Sequence, residues 1–105
     1  MERGEVRWYT FKPPDKERPV VVLTRTSATQ FLGEVTIAPI TSTIREIPTE
    51  VVLDETDGMK ALWAINLDHI QTVTKSKLGA LLVKLSEKRM QEIRNALLFA
   101  LGYNQ

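Results

Sequence analysis

Cysteine is absent from this chain, and histidine occurs once, as His69. The first absence removes disulfides, thiolate zinc sites and a cysteine nucleophile. The second removes a histidine-built metal site and an acid–base histidine pair, so neither a metal nor any other cofactor is expected. No apolar run approaches the roughly 20 residues that cross a bilayer. The opening Met1-Glu2-Arg3-Gly4-Glu5-Val6 has no apolar centre of the kind a secretory leader carries. The expectation is a cytoplasmic protein with no membrane partner. Charge is nearly balanced, with 14 basic against 13 acidic side chains, so the chain is no polycation that coats nucleic acid unaided. Internal repeats and low-complexity tracts are also missing.

What is present fits a single domain over residues 1–105. A chain of 105 residues, 43% of them hydrophobic, buries roughly two-thirds of its unfolded surface around one core. The charges are unevenly placed. Up to Arg25, the bases Arg3, Arg7, Lys12, Lys16, Arg18 and Arg25 outnumber the acids Glu2, Glu5, Asp15 and Glu17. The middle is acidic, with Glu46, Glu50, Asp54, Glu55 and Asp57, and the last third is basic again. This pattern is consistent either with a local basic groove or with ordinary solvated faces of mixed sign.

The stretch Arg18-Pro19-Val20-Val21-Val22-Leu23-Thr24-Arg25 organises the rest. Val20 to Leu23 is too short for a stable helix and too continuous for a strand with one wet face, so it reads as a central strand covered on both sides. Pro19 cannot donate to a ladder and is expected at the first position of that strand, which puts Arg18 at the rim. A cation at a strand mouth is a natural anion anchor. Val35 to Ile40 is a second strand that runs into the hydroxyl cluster Thr41-Ser42-Thr43, so the two ends can bring a guanidinium to hydroxyls.

Val6 to Phe11 reads as a first strand, followed by a stiff polar loop from Lys12 to Glu17 in which Pro13 and Pro14 enter no ladder. Thr26 to Gly33 is a connector with room for one helical turn. Further strands are expected over Thr49–Leu53, closed by a turn at Asp54–Gly58, and over Ala61–Leu67, with a bend or bulge before Asp68-His69-Ile70. Leu78–Leu85 is read as strand. The last element is a helix capped by Ser86 and Gly102, with Met90, Ile93, Leu97 and Leu101 at helical spacing. The fold class is therefore mainly β or α+β, a small twisted and partly closed antiparallel sheet with a long C-terminal helix.

Five segments, taken in order, resemble the MazF/PemK-type toxins of bacterial toxin–antitoxin pairs. They are Arg3-Gly4-Glu5-Val6, Arg18-Pro19-Val20-Val21-Val22-Leu23, Ala38-Pro39-Ile40-Thr41-Ser42, Asn66-Leu67-Asp68-His69-Ile70-Gln71-Thr72-Val73 and Lys77-Leu78-Gly79. The resemblance implies the barrel-like fold of MazF, PemK and CcdB and a homodimeric endoribonuclease. Such an enzyme would cut single-stranded messenger RNA at short motifs without a metal, and a cognate antitoxin would silence it. It places the family arginine on Arg18 and the family threonine on Thr41, with Ser42 beside it, and matches Asp68 to an aspartate assigned catalytic work in some PemK-type members. In those members an arginine stands where this chain has Asn66.

The chemistry agrees with that placement. Cleavage through the ribose 2′-hydroxyl needs a base, positive charge on the phosphorane and a donor for the leaving oxygen. Arg18 can supply charge and a fork of donors, while Thr41 can bond a phosphate oxygen or hold the guanidinium. The general base stands open among Asp15, Glu17 and Asp68. Lys12, Lys16, Glu17, Arg25, Thr43 and His69 are the expected RNA contacts, and Trp8, Tyr9 and Trp63 can stack bases or fill the core. The competing function is that of a non-enzymatic CcdB-like toxin that poisons a protein target such as DNA gyrase, with Tyr103 the one aromatic placed to serve it.

Overall fold

The computed structural model describes residues 1–12 and 17–104. Within them run seven strands: β1 (Glu5–Thr10), β2 (Glu17–Val22), β3 (Glu34–Thr41), β4 (Glu50–Leu53), β5 (Trp63–Asn66), β6 (Gln71–Thr74) and β7 (Leu81–Lys84). A single helical turn α1 (Thr26–Thr29) follows β2, and the long helix α2 (Glu87–Leu101) closes the chain. All pairings are antiparallel, in the order β4-β5-β3-β2-β1-β7, with β6 also beside β3. The curled sheet and terminal helix match the expected class, and β7 is the strand read from Leu78–Leu85.

The curl has its origin in β3. One flank pairs with β2, while the other is shared, Glu34–Ile37 with β6 and Ile40–Thr41 with β5. Leu23 N–H donates to Thr36 C=O at 2.9 Å, so by strand alternation Thr36, Ala38 and Ile40 turn their backbone groups toward β2, and Pro39 turns toward the shared flank. The missing N–H of Pro39 thus falls in the gap between the two partners, where no ladder bond is lost. The chain is handed from one neighbour to the other there, and the sheet bends.

Pro19 corrects an expectation. It lies third in β2, buried, opposite Trp8. Val22 C=O accepts from Gly4 N–H on the β1 side at 2.8 Å and Leu23 faces β3, so alternation turns Pro19 toward β3. The last β2–β3 pair is Val20↔Pro39. Pro19 lacks the N–H for the next rung and ends that ladder while β2 continues against β1.

Two cores explain the unbroken apolar run in β2. On one face Val21, Ala38, Ile40, Leu53, Ile65 and Leu67 pack with Ile93 and Ala96 of α2. On the other, Val20, Val35, Ile37 and Val73 are covered by Tyr9, Phe11 and Leu78. Each fully buried valine there contributes about 1.5–3 kcal/mol.

Helix α2 starts and stops where its sequence says. Ser86 Oγ accepts from Arg89 N–H at 3.2 Å. Gly102, at φ 78°, lets the chain turn so that Tyr103 N–H returns to Leu98 C=O at 2.8 Å. Leu101 is the exception to the predicted stripe: it is 51% exposed, and Phe99 49%. Ala100, in the same last turn, packs against the larger core in place of Leu101.

Candidate active site

Arg18 stands at the exposed start of β2, across from Tyr9 of β1. Tyr9 is half-buried and meets Phe11 edge-on, with ring centroids 4.8 Å apart. Continuing the Val20↔Pro39 register by two residues puts Arg18 opposite Thr41. Both belong to the face away from α2, since Val20 and Ile37, of the same parity as Arg18 and Thr41 on their strands, fill the second core. By this extension of the register, the two strand ends fall on the same face just beyond the last rung. Thr41 Oγ1 accepts from Thr43 N–H at 3.1 Å, which ties down the turn and leaves the hydroxyl proton available for donation outward. Ser42 and Thr43 are exposed beside it.

Glu17 is opposite Thr10, and alternation sends its side chain to the other face from Arg18. Consistent with this, Glu17 Oε1 lies 3.9 Å from where a Cβ on Gly79 would sit, next to Trp8. Asp15 and Lys16 lie outside the described residues. Lys12 is exposed after β1, whereas Arg25 is exposed at the far end of β2 and thus on the opposite rim from Arg18. Trp63 packs against the larger core and Trp8 is half-buried. Tyr103 is 78% exposed.

The Asn66–His69 segment is a corner, at the place where a bend or bulge was expected. Leu67–His69 forms a 3-10 turn between β5 and β6, because β3 changes partner at that level and the chain must step from one position to the other. Asn66 Oδ1 accepts from Asp68 N–H at 3.0 Å, and its Nδ2 lies 3.3 Å from His69 Nδ1. Thr49 Oγ1 donates to Asp68 Oδ2 at 2.6 Å. Asp68 and His69 are exposed, while Asn66 and Thr49 are buried. Asp68 and Arg18 flank β3 on opposite sides, about two inter-strand spacings apart, so no hydrogen bond joins them. Thr49 and the amide of Asn66 escaped the sequence reading; the asparagine two residues before Asp68 is the pattern of an N-cap, and was the available signal.

The sequence model of PemK-like, MazF-like toxins of type II toxin–antitoxin systems matches residues 2–101. The chain belongs to this family. It is 40% identical over 96 residues to the probable endoribonuclease MazF5 of Mycobacterium tuberculosis strain H37Rv, covering 90% of this chain and 87% of that protein. Endoribonuclease MazF3 of the same species, strain CDC 1551, is 42% identical over 65 residues, or 62% of this chain; the match spans 63% of that relative's length. Among solved structures, a mycobacterial endoribonuclease in complex with its cognate antitoxin superposes with a TM-score of 0.86 at 27% identity, covering 97% of this chain and 95% of that one. Family membership and the shared architecture thus agree with the resemblance carried by the five sequence segments.

Proposed function

We propose that this chain is a toxin endoribonuclease that cleaves single-stranded mRNA at short sequence motifs, through attack of the substrate's own 2′-hydroxyl and without a metal ion. What supports the reading is the β2–β3 register, whose continuation past Val20↔Pro39 puts Arg18 opposite Thr41 on one face. The planar guanidinium forks onto two phosphate oxygens as charge builds on the phosphorane. Thr41, its oxygen already held by Thr43 N–H, donates its proton to a third oxygen or to the departing 5′-oxygen, with Ser42 alongside. The ribose hydroxyl is already attached next to the phosphate; once oriented, it needs a base to take its proton, a role the sequence offers to Asp15, Glu17 or Asp68. A chain with no cysteine and one histidine favours this route over a metal-activated water. Within this reading, Lys12 on the same rim steers the strand toward the site.

The partners follow from the same site. A cognate acidic antitoxin, partly disordered until bound, is proposed to fold across the toxin and mask Arg18. The protein acts in the cytoplasm as a homodimer, which covers the apolar end of α2. In the deciding experiment, purified protein is incubated with a long RNA in excess EDTA and the new ends are mapped. The expected products carry a 2′,3′-cyclic phosphate and a 5′-hydroxyl, and 2′-deoxy substitution before the cut blocks the reaction. Cleavage of the deoxy substrate, or EDTA inhibition reversed by magnesium, would overturn the mechanism.

A further inference from the structure

Asn66 ends β5 at 5% exposure and uses both ends of its amide. Its Oδ1 is committed to Asp68 N–H at 3.0 Å, and this bond fixes the amide's orientation, because the flipped group would set N–H against N–H. The amide nitrogen facing His69 Nδ1 at 3.3 Å is then purely a donor. His69 Nδ1 must accept, and the ring's proton resides on Nε2. Thr49, 8% exposed, holds one oxygen of Asp68 through its hydroxyl at 2.6 Å and leaves the other for an outside donor. The corner thus displays two exposed groups of fixed and opposite polarity on adjacent residues, an acceptor on Asp68 and an N–H donor on His69.

That pair suits a base edge better than a phosphate. A phosphate beside Asp68 meets a like charge, whereas the edges of unpaired bases carry donors and acceptors side by side. The corner flanks β3 at the Ala38–Pro39 bend, so sheet spacings put the His69 backbone roughly 9 Å from that of Thr41. We propose that Asp68 and His69 read the edge of one base of the single-stranded substrate, and that Asn66 is the positioning residue that sets the polarity of the pair. The proposal rests on the nuclease reading above and assigns Asp68 to recognition.

Asn66→Asp is the informative variant. Its carboxylate still accepts from Asp68 N–H but also requires a donor from His69, moving the ring proton to Nδ1. Nitrogen-15 spectra of the imidazole should show the Nε2–H tautomer in the wild type and lose it in the variant. Cleavage of a randomised RNA pool should then show discrimination falling about tenfold or more at one position relative to the cut, with the preferences at other positions kept. His69→Leu, at an exposed site where folding is not at stake, should lose discrimination at the same position. Uniform slowing of all sequences, unchanged preferences, or an Nδ1–H tautomer in the wild type would overturn the proposal. If the wild type cuts no RNA, the nuclease reading fails separately. The base-reading pair is then decided by titrating short single-stranded homopolymers of each base, and His69 resonances unmoved by all four reject it.

Discussion

Arg89 of α2 donates from Nε to both carboxylate oxygens of Asp57, at 2.9 and 3.1 Å, and from Nη1 to Glu92 at 2.9 Å. Asp57 in turn accepts from Asp54 N–H at 2.9 Å, while Asp54 caps the same turn through Thr56 N–H. One guanidinium therefore pins the β4–β5 connection to the helix, and its proton is held well above the ordinary arginine range by the hydrogen bonds it donates, to Asp57 first and Glu92 second.

Replacing Arg89 by Met should destabilise the fold by about 2–4 kcal/mol, since the Asp57 side chain, 6% exposed, is left without its partner. Lysine should restore only part of this, lacking the fork. Denaturant midpoints measure both, and an unchanged midpoint in Arg89→Met would reduce the cluster to surface decoration.

Acid should weaken the fold through two groups outside the active site. The hydroxyl and backbone N–H of Thr56 hold Asp54 below the usual carboxylate range, and the Lys84 ammonium does the same for Glu2. A carboxylate whose folded value is depressed stabilises fully above its unfolded value of about 4 and loses that contribution as pH falls through the folded one. Stability measured from pH 6 down to 3 should fall, and less steeply in Thr56→Val and Lys84→Met. Equal slopes in all three proteins would assign the acid sensitivity elsewhere.

Gly58 closes the capped turn at φ 86°, and a Cβ there would lie 2.7 Å from Val83 Cγ1. Gly58→Ala combines backbone strain with a clash against β7, and a loss of about 2 kcal/mol or more is expected in thermal or denaturant melts. Gly33, with open space around it and no positive φ, is the control that should accept alanine.

In the proposed active site, Arg18→Ala should abolish cleavage with an unchanged melting temperature, because an exposed rim residue adds little to the core. Arg18→Lys should also lose most activity. Thr41→Ala should raise the barrier by about 2–3 kcal/mol through one lost transition-state hydrogen bond. Turnover at the wild-type rate by a folded Arg18→Ala protein would remove the assignment.

The exposed Phe99 and Leu101 should mark the homodimer contact. Phe99→Glu is expected to shift the light-scattering mass from dimer to monomer without loss of helical signal. A monomeric wild type at working concentration would contradict this.

The elements legible in sequence were those whose signals are local. Ser86 and Gly102 announce the ends of α2 through side-chain and backbone chemistry that needs no tertiary context. The run Val20–Leu23 announced a doubly covered strand because both faces had to be apolar. The site was half legible: the Arg18 and Thr41 strand ends could be paired by pattern, and the β2–β3 register, continued past Val20↔Pro39, puts them opposite one another. The corner at Asn66–His69 was legible as a bend but not in its form, because a strand pattern continues into Leu67 and the partner change of β3 decides how the chain turns there. The exposure of Leu101 was hidden for a related reason, since periodicity alone does not decide whether Ala100 or Leu101 faces the core.

Pro19 carries a consequence for how β2 and β3 part beyond the Val20↔Pro39 pair. Side chains that prop a cleft can repack, and a cleft held that way narrows or collapses when they change. Here the lacing of β2 to β3 halts because the next stitch would require a hydrogen atom that an imide nitrogen does not have. The parting of the two strands is therefore set by covalent constitution. It needs no wedge and wastes no side chain on scaffolding.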